Sequence, residues 1–273
     1  MVQRKLEDML SQEDLDKIIK MYQNNVSLRE IEKQVPAGRA AISRMLERLG
    51  IKTTKGNHYR KYFFDFDFFE TIDNELKAYW LGFMYADGCV LSKRQYGEQE
   101  FKIQIKKDDE EIIQHFKQDL KSTYPIRYDN TKINPQVIYC LRSQKTVDDL
   151  KKLGCIEQKS LILTFPTEKQ VPSNLIYHFI RGYFDGDGSI SKGKKDNYQL
   201  CFIGTESFIK TLSQYFEGGS VVKDKRHSNS WYFELGGNLQ VLKAYHLMYD
   251  NATRYLQRKY QKFQPLLNKY SES

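Results

Sequence analysis

Between residues 99 and 106 apolar and polar side chains alternate, with Phe101, Ile103 and Ile105 on one parity and Lys102, Gln104 and Lys106 on the other. A period of two predicts a strand with one buried face. The next stretch, DDEEIIQHFKQDL at 108–120, changes to helical spacing and opens with acids, which suit the positive end of a helix. Strands are predicted near 126–128 and 137–142, then a helix through 147–153 that Gly154 stops. The same order returns later: a strand near 199–203, a helix near 205–216, strands near 220–222 and 231–235, and a closing helical region. Each set is headed by an apolar, aromatic run, WLGFMYADGCV from residue 80 and IRGYFDGDGSI from residue 180. Two αββαββα halves, 74–170 and 171–273, are therefore predicted, an α+β architecture built on a duplication.

Residues 1–54 read differently, as three short helices. Ser27 followed by Glu30 is a capping-box signature, in which the serine oxygen and the glutamate carboxylate each satisfy a backbone donor at a helix start. Leu28, Ile31 and Val35 give that helix an apolar face, and Pro36, Ala37 and Gly38 break it. A second helix places Ile42, Met45, Leu46 and Leu49 at core spacing and leaves Arg39, Ser43, Arg44 and Arg48 largely outside. The arrangement resembles a helix-turn-helix, whose second helix enters the major groove of DNA. Lys52, Lys55, Arg60 and Lys61 continue the positive run. Residues 55–73 form a linker whose phenylalanines are expected to pack on the domain that follows.

The two headed runs carry the candidate chemistry. Gly82 with Ala86, and Gly182 with Gly186, are small residues four apart, hence on one helix face. Two such faces let helix backbones approach closely. Two parallel helices would then end together near Asp87 and Asp187, with Gly88 and Gly188 turning the chain out of each helix. Two carboxylates meeting two helix C-termini concentrate negative charge. A bound divalent cation relieves that conflict, and carboxylate and carbonyl oxygens at 86, 87, 186 and 187 select magnesium or manganese over zinc. Paired cations of this kind cut phosphodiesters by stabilising attacking and leaving oxygens. A further repeat supports the duplication: Lys159 and Lys259 lie 100 residues apart, as do Asp87 and Asp187, and each lysine follows a large apolar residue, Ile156 or Leu256, by three positions.

WLGFMYADG and IRGYFDGDG resemble the two motifs of single-chain LAGLIDADG homing endonucleases, and the resemblance covers about residues 74–270. It implies a helix interface of Gly82, Ala86, Gly182 and Gly186 between pseudo-symmetric halves. It also implies metal ligation by Asp87 and Asp187 with Ala86 and Gly186, and a catalytic basic residue matching Lys159 and Lys259. The family's antiparallel sheets form a saddle over double-stranded DNA; Lys102, Gln104, Lys106, Arg127, Arg142, Lys192, Lys194, Lys223 and Arg226 are candidates for that surface. The implied activity is sequence-specific, magnesium-dependent cleavage of a long asymmetric site by a monomer, with manganese able to substitute. Tyr85, where the family's commoner residue is aspartate, and Ala86 depart from the pattern of the second motif. The same fold also serves as a non-cleaving transcription regulator or an intron-splicing maturase, and a helix-turn-helix suits the regulator.

Composition narrows the field further. The 273 residues carry a formal net charge of +8, which favours a polyanionic partner. No apolar run is long enough for a membrane span and the start lacks a signal peptide's apolar segment, so an intracellular protein, cytoplasmic or nucleoid-associated, is expected. Four cysteines without a CxxC pair argue for reduced thiols and against zinc. Asp185, Asp187 and Ser189 do not make a calcium loop, because the sixth position is Ile190 rather than glycine. His178 is expected to pack or cap, and no serine or cysteine nucleophile motif is present.

Overall fold

The computed structural model describes residues 6, 9–23, 26–51, 62–91, 99–131, 133–159, 162–227 and 229–271. The chain forms two compact units, residues 1–63 and 64–273. Lys52, Lys55, Arg60 and Lys61 lie outside the described residues.

The first unit contains α1 (Gln12–Gln23), α2 (Leu28–Glu32) and α3 (Arg39–Arg48), closed over Ile18, Ile31, Val35, Ile42, Met45 and Leu46. Only half of the capping box forms. Ser27 Oγ accepts from the Glu30 amide at 3.1 Å, whereas the Glu30 carboxylate pairs with Lys33 at 3.0 Å. Leu49 is not a core residue; it caps α3 and is 48% exposed, because the helix ends one residue before it. Arg39, Arg44 and Arg48 are exposed and Ser43 is half-buried.

The second unit is the duplicated body. Its first half is α4 (Glu75–Ala86), β1 (Gly88–Leu91), β2 (Glu100–Lys106), α5 (Glu110–Asp119), β3 (Arg127–Asp129), β4 (Gln136–Arg142) and α6 (Gln144–Lys152). Its second half is α7 (Ile176–Asp187), β5 (Gly188–Lys192), β6 (Tyr198–Gly204), α8 (Glu206–Ser213), β7 (Ser220–Lys223), β8 (Trp231–Gly236) and α9 (Asn238–Tyr249), followed by α10 (Gln257–Ser271). Each half forms a four-stranded antiparallel sheet, ordered β1-β2-β4-β3 and β5-β6-β8-β7. Side chains cap three helix starts of this body: Asn74 accepts from the Lys77 amide, Ser143 from Thr146 and Thr205 from Phe208. The segment before α4 packs Phe64, Phe68 and Phe69 into the core, with Phe64 edge-on to Phe101 and Tyr124.

The register matches between halves. Gly88 pairs with Ile103 and Ile103 with Tyr139; Gly188 pairs with Phe202 and Phe202 with Phe233. The parity that includes Phe101, Ile103 and Tyr139, or Leu200, Phe202 and Phe233, is buried against the helices. The other parity is the open face of each sheet.

Helices α4 and α7 fit together through backbone. A Cβ built on Gly82 would lie 2.0 Å from the Phe179 carbonyl oxygen, and one on Gly182 would lie 1.9 Å from that of Tyr79. Nearer the C-termini, a Cβ on Gly186 would lie 2.2 Å from that of Ala86. No rotamer change relieves a clash with a carbonyl, so only glycine fits at 82 and 182. Gly88 and Gly188 are required for a different reason from the expected one. Neither adopts a positive φ, and Gly188 is extended at φ −89°; a Cβ there would strike the Met84 carbonyl at 2.5 Å or the Phe184 ring at 2.2 Å.

Gly182→Ala is expected to destabilise the protein by about 3 kcal/mol or more, since overpacking against backbone forces the helices apart. Gly236→Ala, with nothing within 4 Å of the added carbon, is expected to be near neutral. Urea denaturation midpoints of the two variants check this.

Candidate active site and nucleic-acid interface

The close approach at the two glycines brings the C-termini of α4 and α7 to one place. Asp87 caps α4, its amide donating to the Phe83 carbonyl at 2.9 Å, and Asp187 is the last residue of α7. The position of a Cβ on Gly186 lies 3.3 Å from Asp87 Oδ2, so the first carboxylate rests against the second helix end. Asp187 opens to solvent at the mouth of this crossing, yet surrounding protein and then the Asp87 charge push its carboxyl up to about 6. Asp87 is also raised, mainly by burial, against the opposing pull of the Lys259 and Lys159 ammonium groups.

Both lysines are brought to the helix ends, where they serve as caps. Lys259 Nζ donates to the carbonyls of Phe184 at 2.7 Å, Gly186 at 3.0 Å and Gly188 at 2.6 Å, and its residue is 4% exposed. Lys159 Nζ donates to the carbonyls of Ala86, at 3.0 Å, and Gly88. Each ammonium thus donates to carbonyls at a helix C-terminus, Phe184 also accepting from the Gly188 amide, and counters the negative helix end. Burial pulls Lys259 down to about 8, so it remains largely protonated at neutral pH. The charge conflict inferred from sequence is therefore already relieved in part by the chain itself.

The residue two before the last aspartate anchors each lysine-bearing segment. Asp185, 1% exposed, accepts from Tyr79 Oη at 2.9 Å, Tyr249 Oη at 2.9 Å and the Leu256 amide at 2.7 Å. It is fully engaged and is not a ligand. Tyr85 does the corresponding work in the first half by donating to the Leu153 carbonyl. A buried polar seam beside it escapes sequence reading. Arg181, 0% exposed, donates to Glu75 at 2.7 Å and to the carbonyls of Met248 at 2.6 Å and Arg254 at 2.9 Å. Arg254 grips Asp119 through two bonds of 2.8 Å, and Trp80 Nε1 donates to the same carboxylate at 2.8 Å. The available signal was an arginine inside an apolar helical run. His178 packs on Arg181 Nη1 at 2.8 Å and is pushed below its usual pKa by burial and that guanidinium.

Among the described residues no group of three or more His, Cys, Asp or Glu side chains is arranged to hold a metal ion. Two convergent carboxylates, with the Ala86 and Gly186 carbonyls adjacent, form an all-oxygen donor set too small for a closed cage. Magnesium suits such a set, because it keeps several waters and completes its shell with substrate phosphate. The residues present therefore fit a magnesium ion held jointly with a phosphate.

The two sheets divide the candidate contact residues unequally. Lys102, Gln104, Lys106, Arg127 and Arg142 all take the open-face parity of the first sheet. Lys102 donates to Gln104 at 3.2 Å, and Arg142 pairs with Glu100 at 3.3 Å. The second-half candidates do not share that placement. Lys192 shares the parity of buried Ile190, lies 5.9 Å from the Tyr198 ring and pairs with Asp196 at 2.9 Å. Lys223 pairs with Trp231 on the helix side of its sheet, its ammonium 6.0 Å from the ring centroid. Lys194 is exposed in a turn, and Arg226 sits in the β7–β8 connection with Nε 3.4 Å from Asp224. The open face of the second sheet is instead made by Ser189, Ser191, Gln199, Cys201, Ile203, Ser220, Val222, Tyr232, Glu234 and Gly236.

Comparison with known proteins bears on the family and the fold. Residues 76–170 match the family model of the WhiA LAGLIDADG-like domain, and residues 174–217 match that of the LAGLIDADG-like domain. No curated protein matches the chain in sequence. The fold is that of the I-LtrWI LAGLIDADG homing endonuclease bound to target DNA, at TM-score 0.50 and 10% identity, covering 73% of this chain and 91% of that one. It is likewise that of the I-SmaMI LAGLIDADG homing endonuclease bound to cleaved DNA, at TM-score 0.50 and 13% identity, covering 72% and 89%. No helix among the described residues is long and apolar enough to cross a membrane.

Lys259→Met is expected to lower stability by about 3 kcal/mol or more, since the buried ammonium that donates to the carbonyls of Phe184, Gly186 and Gly188 is lost; Lys159→Met, with two carbonyls and a less buried side chain, is expected to cost less. Denaturant titration of both variants checks the order. Folding raises the Asp187 pKa, so the native state disfavours its charged form: the penalty is full above about 6, shrinks as pH falls below that and vanishes below the ordinary aspartate value. Asp187→Asn in EDTA should accordingly raise Tm at pH 7.5 and leave it unchanged near pH 3. A variant that melts at or below wild type at pH 7.5 contradicts this.

Proposed function

The chain belongs to the LAGLIDADG family, and on that premise we propose that it is a sequence-specific, divalent-metal-dependent DNA endonuclease acting as a monomer on a long asymmetric site. One observation carries the reading: two carboxylates, Asp87 and Asp187, converge at paired helix ends and each is pushed above the usual carboxylate range there. Such a site prefers to be occupied by something positive. Magnesium, when bound, would polarise the scissile phosphate and activate water.

The chain's own residues prepare that step. Asp87 and Asp187, with the carbonyls of residues 86 and 186, offer oxygens to the cation. Lys159 and Lys259 donate to those same carbonyls, holding them in place, and would add positive charge to the site. Asp185 and Tyr85 fix the segments that bring the lysines in. Lys102, Lys106 and Arg127 on the first sheet would position DNA by phosphate and base contacts. Arg39, Ser43, Arg44 and Arg48 of the helix-turn-helix would contact a flanking segment. These phosphate contacts would make affinity fall steeply with salt.

A second reading, a non-cleaving DNA-binding regulator, is favoured by two observations. Residues 76–170 match a WhiA-type model, and the lysine caps allow the helix pair to form without metal. The two readings separate in one experiment. Full-length protein, given a randomised duplex library with magnesium, is expected to cut a selected sequence, while Asp87→Asn and Asp187→Asn bind the same sequence and cut it at least about a thousandfold more slowly. Selected binding with no cutting by wild type in magnesium or manganese establishes the regulator instead.

A further inference from the structure

Equivalent rows of the two open faces carry opposite chemistry. Beside the helix ends, the first sheet presents Cys89, Lys102 and Cys140 in register, one per strand. The matching row of the second sheet is Ser189, Cys201 and Glu234, extended by Ser220. Around Lys102 the open strand positions of the first sheet add Lys106, Arg127 and Arg142 against two acids, Glu100, which Arg142 pairs, and Asp129, which accepts from Thr131. Across the whole second open face Glu234 is the one charged strand residue.

Glu234 lacks a structural reason to be there. It is half-buried, and although its backbone lies in the sheet its carboxylate makes no hydrogen bond or ion pair among the described residues. The other acid of this region, Asp224, is tied down: it accepts from the Arg226 amide at 2.8 Å and from Tyr232 Oη at 2.7 Å, and His227 Nδ1 lies 3.0 Å away. An unpaired carboxylate on a DNA-facing sheet repels phosphates. Its cost is recovered only if the bound surface offers it a hydrogen-bond donor. In the major groove cytosine N4 and adenine N6 are such donors, but adenine sets the N7 acceptor beside its amino group, which opposes a carboxylate, so cytosine fits Glu234 better; guanine presents only acceptors, which suit a lysine.

We propose that the two sheets read their half-sites by opposite chemistry, Glu234 selecting cytosine through its exocyclic amino group in the second half-site while Lys102 selects guanine in the equivalent row of the first. The inference rests on the proposal that these sheets bind DNA, and it holds for either the cleaving or the non-cleaving reading. Ser189 and Ser220, which donate or accept, then adapt to either neighbour, and Val222 offers an apolar contact for a thymine methyl. The second half-site gains little from phosphate attraction, so its recognition depends on sequence more than on salt.

The test uses full-length wild type, Glu234→Gln and Lys102→Met, each shown to unfold at the wild-type urea midpoint. Each protein selects from a randomised duplex library in calcium, and the retained DNA is sequenced. Wild type is expected to enrich a cytosine in the second half-site. Glu234→Gln should lower that enrichment about tenfold and leave the first half-site profile unaltered, while Lys102→Met should do the reverse at a guanine. A Glu234→Gln profile identical to wild type, or one altered equally at every position, overturns the inference and leaves DNA binding standing. If wild type enriches no sequence at all, the DNA-binding reading falls with it.

Discussion

Contact between the backbones of α4 and α7 is the constraint on which the remainder of the body depends. At Gly82 and Gly182 each helix occupies the volume that a side chain of the other would need. That approach fixes the helix ends together, places Asp87 against Gly186, and starts β1 and β5 from one point, so both sheets spread from the same origin. The carboxylates meet because the glycines allow it; nothing in the aspartates themselves attracts one to the other.

The lysines change the meaning of that meeting. A bare pair of helix C-termini with two carboxylates would require external cations to be tolerable. Here two ammonium groups, one nearly sealed from solvent, already cap the terminal carbonyls. The helix pair is thereby held by residues of the chain itself, and the residual excess of negative charge falls on the two aspartates.

Much of this was legible in the sequence. The strands of the first half announced themselves by alternation, and the repeat register followed from the positions of the two motifs and the two lysines. Alternation also contained a signal that charge obscured. Lys192 follows Ile190 by two residues and Lys223 follows Val221 by two, so parity assigns both to the helix side despite their positive charge. The open face of the second sheet is made of residues too mixed and ordinary in type, three serines and one glutamate among neutral side chains, to attract notice without the register. Leu49 misled because apolar spacing does not show where a helix ends. The glycines after the aspartates were necessary for lack of room rather than for φ, a distinction that needs neighbours in space. The lysines' carbonyl partners and the Arg181–Glu75 pair lie 71 to 106 residues apart in sequence.

The seam around Arg181 also shows how far the two halves depend on each other. Its participants are shared out unevenly: Glu75, Trp80 and Asp119 come from the first half, and Arg181, Arg254 and the Met248 carbonyl from the second. Neither half contains a complete set, and two copies of either would bury guanidinium or carboxylate without its complement. The halves have therefore become obligate counterparts. One buried arginine and the acids around it thus make each half the complement that the other requires, and bind the asymmetry of the body into its interior.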